Sequence, residues 1–75
     1  MRKSCCGVAD SDLGALRLMD IMLKYGVKIV SVSPEFIDGF PKFSVFGVME
    51  SEDQETQIIQ ELHACPDNLK LIVRI

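Results

Sequence analysis

Residues 8–29 read VADSDLGALRLMDIMLKYGVKI, and a change of period within this stretch decides the fold. Val8 and Ala9 end an apolar strand, and Asp10, Ser11 and Asp12 make a polar turn. Apolar residues then recur at helical spacing as far as Gly26. Immediately after that glycine, Val27 to Val32 read as a second strand. The stretch is a strand, helix, strand unit.

The helix is expected from about Asp12 to Tyr25. Asp10, Ser11 and Asp12 are each able to accept a hydrogen bond from the first free amides, and Asp12 also complements the positive helix end. Arg17, Asp20 and Lys24 recur on one side, while Ala15, Leu16, Leu18, Met19, Met22 and Leu23 form a broad apolar stripe expected to pack on a sheet. Ile21 falls among the polar residues, as a contact for a partner or a singly exposed group. Tyr25-Gly26 is a left-handed helix end onto which Val27 folds back.

Working outward, a first strand is expected over Arg2 to Ala9, with Cys5 and Cys6 on opposite faces because successive side chains alternate. Strand two runs from Val27 to Ser33. The segment from Pro34 to Pro41, with Gly39 and a proline at each end, is expected to be an irregular hairpin loop. Strand three, Lys42 to Met49, sets Phe43, Val45, Gly47 and Met49 against Ser44, Phe46 and Val48, so both of its faces carry apolar groups. Ser51 with Gln54 forms a capping box for a second helix, Glu52, Asp53 and Glu55 suit its positive end, and Ile58, Ile59 and Leu62 form its buried side. Pro66 ends that helix near His63 to Cys65, and Pro66, Asp67 and Asn68 turn the chain. Leu69 to Ile75 alternates as a last strand. The order β, α, β, β, α, β, with right-handed crossovers, predicts an α+β, ferredoxin-like sandwich: a four-stranded antiparallel sheet with two helices on one face.

A chain of 75 residues has room for one domain, expected over residues 1–75, and buries only about 60% of its unfolded surface. Hydrophobic residues make up 48% of it, so the sheet face without helices is expected to be covered by another copy, as a homodimer or a higher homo-oligomer. The net charge of −3, with acids clustered from Glu50 to Glu55, argues against nucleic acid and against an anionic membrane as partners. No apolar run approaches the ~20 residues of a membrane span, and Met1 to Gly7 lack the core of a signal peptide, so a cytoplasmic location is expected. Three cysteines, two of them adjacent, suit free thiols in a reducing compartment.

Val8-Ala9-Asp10-Ser11-Asp12-Leu13-Gly14-Ala15-Leu16, followed after one helix by Tyr25-Gly26-Val27-Lys28-Ile29, resembles the ACT domain. In that family the first strand ends in a similar acidic turn, with proline where this chain has Leu13, and Ala64-Cys65-Pro66-Asp67-Asn68-Leu69 corresponds to the turn into the last strand. The resemblance implies a stand-alone regulatory or sensor domain that binds a small molecule, an amino acid, between two domains packed side by side, without a cofactor. An effector enzyme is a further implied partner. The residues themselves are compatible with this. Gly14 in the first helical turn costs ~1 kcal/mol relative to alanine, which is understandable if something approaches the backbone. Free amides attract a carboxylate, and Asp10 or Asp12 attracts an ammonium group. The expected site is Asp10, Ser11, Asp12, Leu13 and Gly14 of one copy facing Val30 and Ser31 of another. The alternative is that Gly14 serves helix packing and Asp10 to Asp12 only cap.

Two rivals come from other classes. Cys5, Cys6, Cys65 and His63 suggest a metal or redox module, although metal-carrying domains of this strand order use Cys-x-x-Cys in the loop after strand one, where this chain has aspartates. An assembly module without any ligand is the other. RNA recognition would need stacking aromatics on one face of strands one and three, whereas Phe43 and Phe46 are expected to face opposite ways, as core and dimer contact. His63, with no nucleophile or base beside it, gives no catalytic site, and the expectation is that the chain is not an enzyme.

Overall fold

In the computed structural model residues 2–74 are described, the side chains of Ile37 and Arg74 excepted. Six elements follow in order: β1 (Lys3–Ala9), α1 (Asp12–Lys24), β2 (Lys28–Ile37), β3 (Phe40–Met49), α2 (Glu52–Ala64) and β4 (Leu69–Arg74). The four strands form one antiparallel sheet in the order β2-β3-β1-β4. This is the expected ferredoxin-like arrangement. The expected end of the last strand, at Ile75, lies outside the described residues.

Register divides each strand between two faces. Cys5 of β1 stands beside Gly47 of β3 and Val73 of β4, and Gly47 in turn stands beside Ile29 of β2. This row and its alternates, including Gly7, Ala9, Val45 and Met49, face the helices. Leu18 and Met22 of α1 and Ile58 and Leu62 of α2 descend onto them; Leu18, Met22, Val45, Met49 and Ile58 have no exposed surface. Gly7 lets Leu18 reach the sheet, since a Cβ at Gly7 would lie 2.6 Å from Leu18 Cδ2. The opposite face carries Cys6, Val8, Phe46, Val48 and Ile72, with no helix over it.

The structure corrects the sequence reading in three places. The segment Pro34 to Pro41 is not a loop. Its residues extend β2 and β3 into a two-stranded arm closed by Asp38 and Gly39, whose φ angles of 54° and 81° are those of a type I′ turn. The prolines are tolerated because β2 is an edge strand and because β1 ends at Ala9, opposite Phe43, leaving β3 unpaired on one side beyond that point. The arm helps to stretch the molecule to 37 × 23 × 16 Å.

Ile21 is not exposed but buried at 5%, because α2 packs beside α1 and covers the flank on which it lies. Leu16 and Leu23, expected in the core stripe, are 59% and 60% exposed, since the buried face of α1 is rotated toward Gly14, Ala15, Leu18, Ile21 and Met22. A helix flanked by a second helix on one side only buries an arc displaced toward that neighbour.

Side-chain hydrogen bonds join the two helices at their ends. Gln54 Oε1 accepts from the N–H groups of Glu50 (2.7 Å) and Ser51 (3.0 Å), the glutamine half of the expected capping box, and its Nε2 donates to the Tyr25 carbonyl at 3.0 Å. Glu61 Oε1 accepts from Lys24 Nζ at 2.9 Å and from the Tyr25 hydroxyl at 2.5 Å. Lys3, whose side chain is only 10% exposed, lies 3.3 Å from Glu52 and 3.6 Å from Glu55, so part of the acidic run holds β1 to the start of α2.

Candidate functional site

The turn between β1 and α1 is built by its own side chains. Ser11 has extended φ and ψ of −152° and 162°, and its Oγ accepts from the Gly14 N–H at 3.0 Å, so it is the N-cap among the three polar candidates. Its carbonyl accepts from Ala15 N at 2.9 Å. Asp12 follows with its carboxylate in the first turn, and Leu13 projects outward, 76% exposed. The N–H groups of Asp12 and Leu13 come before the first i−4 carbonyl and have no acceptor among the described residues.

Gly14 is buried rather than open. A Cβ there would stand 3.0 Å from Ser11 Oγ, 3.4 Å from Leu69 Cδ2 and 3.5 Å from Ala9 Cβ, so the chain's own packing accounts for the glycine. A guest would reach the Asp12 and Leu13 amides instead.

The sequence reading did not include the segment that closes this turn. Ala9 pairs with Leu69, which brings the lead-in to β4 alongside the end of β1. Asn68 Nδ2 donates to Asp10 Oδ2 at 3.0 Å, Arg17 Nε lies 2.8 Å from Asp67 Oδ2, and the Cys65 thiol donates to that same oxygen at 3.6 Å. Asp10, Ser11 and Gly14 thus share a shallow cavity of about 160 Å³ with Asp67, Asn68 and Leu69. The strand order was the available signal: once β4 is set beside β1, its first residues must flank the β1–α1 turn.

Val30 and Ser31 lie elsewhere. They sit on β2 at the outer edge of the sheet, where a bulge between Ile29 and Ser31 leaves Val30 66% exposed. Ser31 is in the row of Phe46 and Cys6, separated from β1 by the whole of β3. That is about 10 Å across the sheet and about 10 Å along the strands from the end of β1. Within one chain the two halves of the expected site do not meet.

The cysteines are dispersed. Cys5 is buried under the helices at 3% exposure, Cys6 lies on the opposite face, and Cys65 is at the end of α2. Burial pushes the Cys5 thiol up, the neighbouring Cys6 adds to this, and a backbone hydrogen bond at Gly47 acts against it. His63 is exposed on the last turn of α2. Among the described residues no three of His, Cys, Asp and Glu stand close enough to hold a metal ion, and no helix is long and apolar enough to cross a membrane.

No family model matches this sequence, and no curated protein does. Solved structures match its fold. A PII-like signalling protein of Thermus thermophilus superposes with a TM-score of 0.78 at 22% identity, covering 97% of this chain and 83% of its own. Prephenate dehydratase of Streptococcus mutans gives 0.74 at 10% identity over 97% of this chain, which spans only 41% of that enzyme chain. The ACT domain of the Chlorobium tepidum GTP pyrophosphokinase gives 0.59 at 12% identity over 96% of this chain and 97% of its own. The fold is therefore ACT-like, as the turn and helix residues implied. At these identities the likeness is one of fold.

Proposed function

We propose that this chain is a regulatory domain that binds a small molecule, an amino acid, between two of its copies. The observation that carries the reading is a half-built pocket. The two unused helix amides, of Asp12 and Leu13, and the Asp12 carboxylate follow directly on Ser11, at the start of the helix that borders a cavity of about 160 Å³ lined by Asp10, Ser11 and Gly14. Ligand sites commonly occupy roughly 300–1,000 Å³, so a second surface is needed to enclose a guest here. The exposed bulge at Val30 and Ser31, on an unpaired sheet edge, supplies it from another copy. The amides take the carboxylate of the amino acid, and Asp12, with Asp10 oriented by Asn68, takes its ammonium group.

Held in this way, the ligand stabilises one packing of the subunits by its difference in affinity for paired and unpaired states, and a separate effector enzyme would read that packing. The proposal assigns no catalytic step and no metal to the chain.

Calorimetry with each amino acid at millimolar concentration tests it. A ligand at ten times its Kd adds about 1.4 kcal/mol, several degrees in Tm for a domain of this size. Binding by at least one amino acid, weakened by Asp12→Asn and by Val30→Asp, is expected. No binding by any of them leaves the assembly module without ligand as the better reading. Stoichiometric zinc or copper in the purified protein, lost in Cys5→Ser, would favour the metal module instead.

A further inference from the structure

The register of the open sheet face has a symmetry of its own. Four rows cross it: Lys28, Val48, Ser4 and Arg74; then Ser31, Phe46, Cys6 and Ile72; then Ser33, Ser44, Val8 and Lys70; and last Glu35 and Lys42. The first row begins with a cation on β2 and the last with an anion on the same strand. Both Lys28 and Glu35 are exposed, and neither has an ion-pair partner within 4 Å among the described residues. The second row is apolar from β3 to β4, and Val8 continues the apolar patch into the third. Phe46 and Ile72 remain 40% and 50% exposed, and with Cys6 they line a depression of about 320 Å³.

We propose that this face docks on the same face of a second copy, about a two-fold axis that crosses the strands between the second and third rows. That operation lays each strand over its own counterpart in reverse. Lys28 then meets Glu35 of the second copy, and Glu35 meets its Lys28. Phe46 lies over the small, buried Ser44, Cys6 lies over Val8, and the aliphatic stem of Lys70 covers Ile72. A two-fold axis along the strands would instead lay β2 over β4, setting Lys28 against the row of Arg74 and Glu35 against the level of Asn68, so that neither would meet an opposite charge. Charge complementarity therefore selects both the partner and the axis.

Four strands at about 4.8 Å spacing and six or seven residues at about 3.4 Å give a plane of roughly 400 Å² on each copy, roughly 800 Å² in all, which falls below stable interfaces and in the range of weak, transient ones. The association is accordingly reversible rather than permanent. It uses neither the β1–α1 turn nor the unpaired backbone of β2, and Ser31 alone is common to this face and the ligand site, so it does not rest on the ligand reading and is measured without any amino acid.

Sedimentation equilibrium from roughly 1 to 200 μM, a range suited to a small interface, tests it on the full chain with circular dichroism as a control for folding. Wild type is expected to self-associate. Lys28→Glu and Glu35→Lys should each weaken the association by roughly tenfold by setting like charges against one another, and Phe46→Asp should do so by removing the central contact. The combined Lys28→Glu, Glu35→Lys variant should return to within about threefold of wild type, since the pairing is restored with its signs exchanged. A wild-type chain monomeric throughout that range, single variants that associate as wild type does, or a combined variant no tighter than its parents would each overturn the proposal.

Discussion

Gln54 Nε2 donates to the main-chain oxygen of Tyr25 at 3.0 Å, so one amide side chain ties the C-cap of α1 to the first turn of α2. Its Oε1 serves two further N–H groups at the same time. Gln54→Ala leaves the part-buried Tyr25 carbonyl and two helix-start amides to the solvent and should cost about 1–2 kcal/mol in chemical denaturation. Gln57→Ala, at an exposed site on the same helix, should change stability by under about 0.5 kcal/mol.

Leu18 and Gly7 should behave as a coupled pair. Leu18→Ala removes a side chain with no exposed surface and should cost about 2–5 kcal/mol. Gly7→Ala puts a methyl group 2.6 Å from Leu18 Cδ2 and should cost about 1–3 kcal/mol in wild type. In the Leu18→Ala background the obstruction is gone. A double-mutant cycle should then show Gly7→Ala to be close to neutral; equal costs in both backgrounds would mean that the two do not touch.

The Glu61 cluster sets the pH profile at the helix ends. Hydrogen bonds from Tyr25 and then from Lys24 hold the Glu61 carboxyl below its ordinary 4.5, while the hydrogen bond to Glu61 raises Tyr25 above 10.0 and Lys24 above 10.5. A depressed acid contributes stability above its unfolded value and loses it as the pH falls through the folded one. Raised Tyr25 and Lys24 contribute below their unfolded values and lose that contribution as the pH rises through the folded ones. Thermal melts should thus show this contribution flat near neutrality and declining on acidification below 4.5 and again above 10. Glu61→Gln should flatten the acid limb.

Ser11→Ala should lower stability by about 0.5–2 kcal/mol, because Ser11 Oγ caps α1 through the Gly14 amide. Ser11→Asp keeps an acceptor there and should recover most of the loss in urea melts. The cap is thereby separated from any ligand effect, which is measured by titration.

The plait was legible because each boundary had local chemistry behind it. Ser11, Gly26, Ser51 with Gln54, and Pro66 mark helix ends by hydrogen-bonding capacity or by restricted backbone geometry, which neighbours in sequence determine. Burial of individual α1 positions was less legible, since Ile21, Leu16 and Leu23 depend on the side from which α2 approaches, a tertiary fact. The arm is hidden in the sequence because Pro34 and Pro41 count against strand structure unless β2 lies at an edge, which only the folded sheet shows. Asp38-Gly39 between Phe36-Ile37 and Phe40 was the stronger signal. At the candidate site the turn itself was legible, and Asp67 and Asn68 were not included, because only the folded sheet brings residues so far apart in sequence together.

The central position of β1 has a temporal consequence. This strand precedes both of its neighbours, β3 and β4, in the chain, so Cys5 must wait for Gly47 and then for Val73 before both flanks of its backbone are bonded. Closing such distant pairs makes assembly slow relative to helix formation. Until β4 has been made, β1 is an apolar ribbon with at least one border open, and it is β4 that seals it.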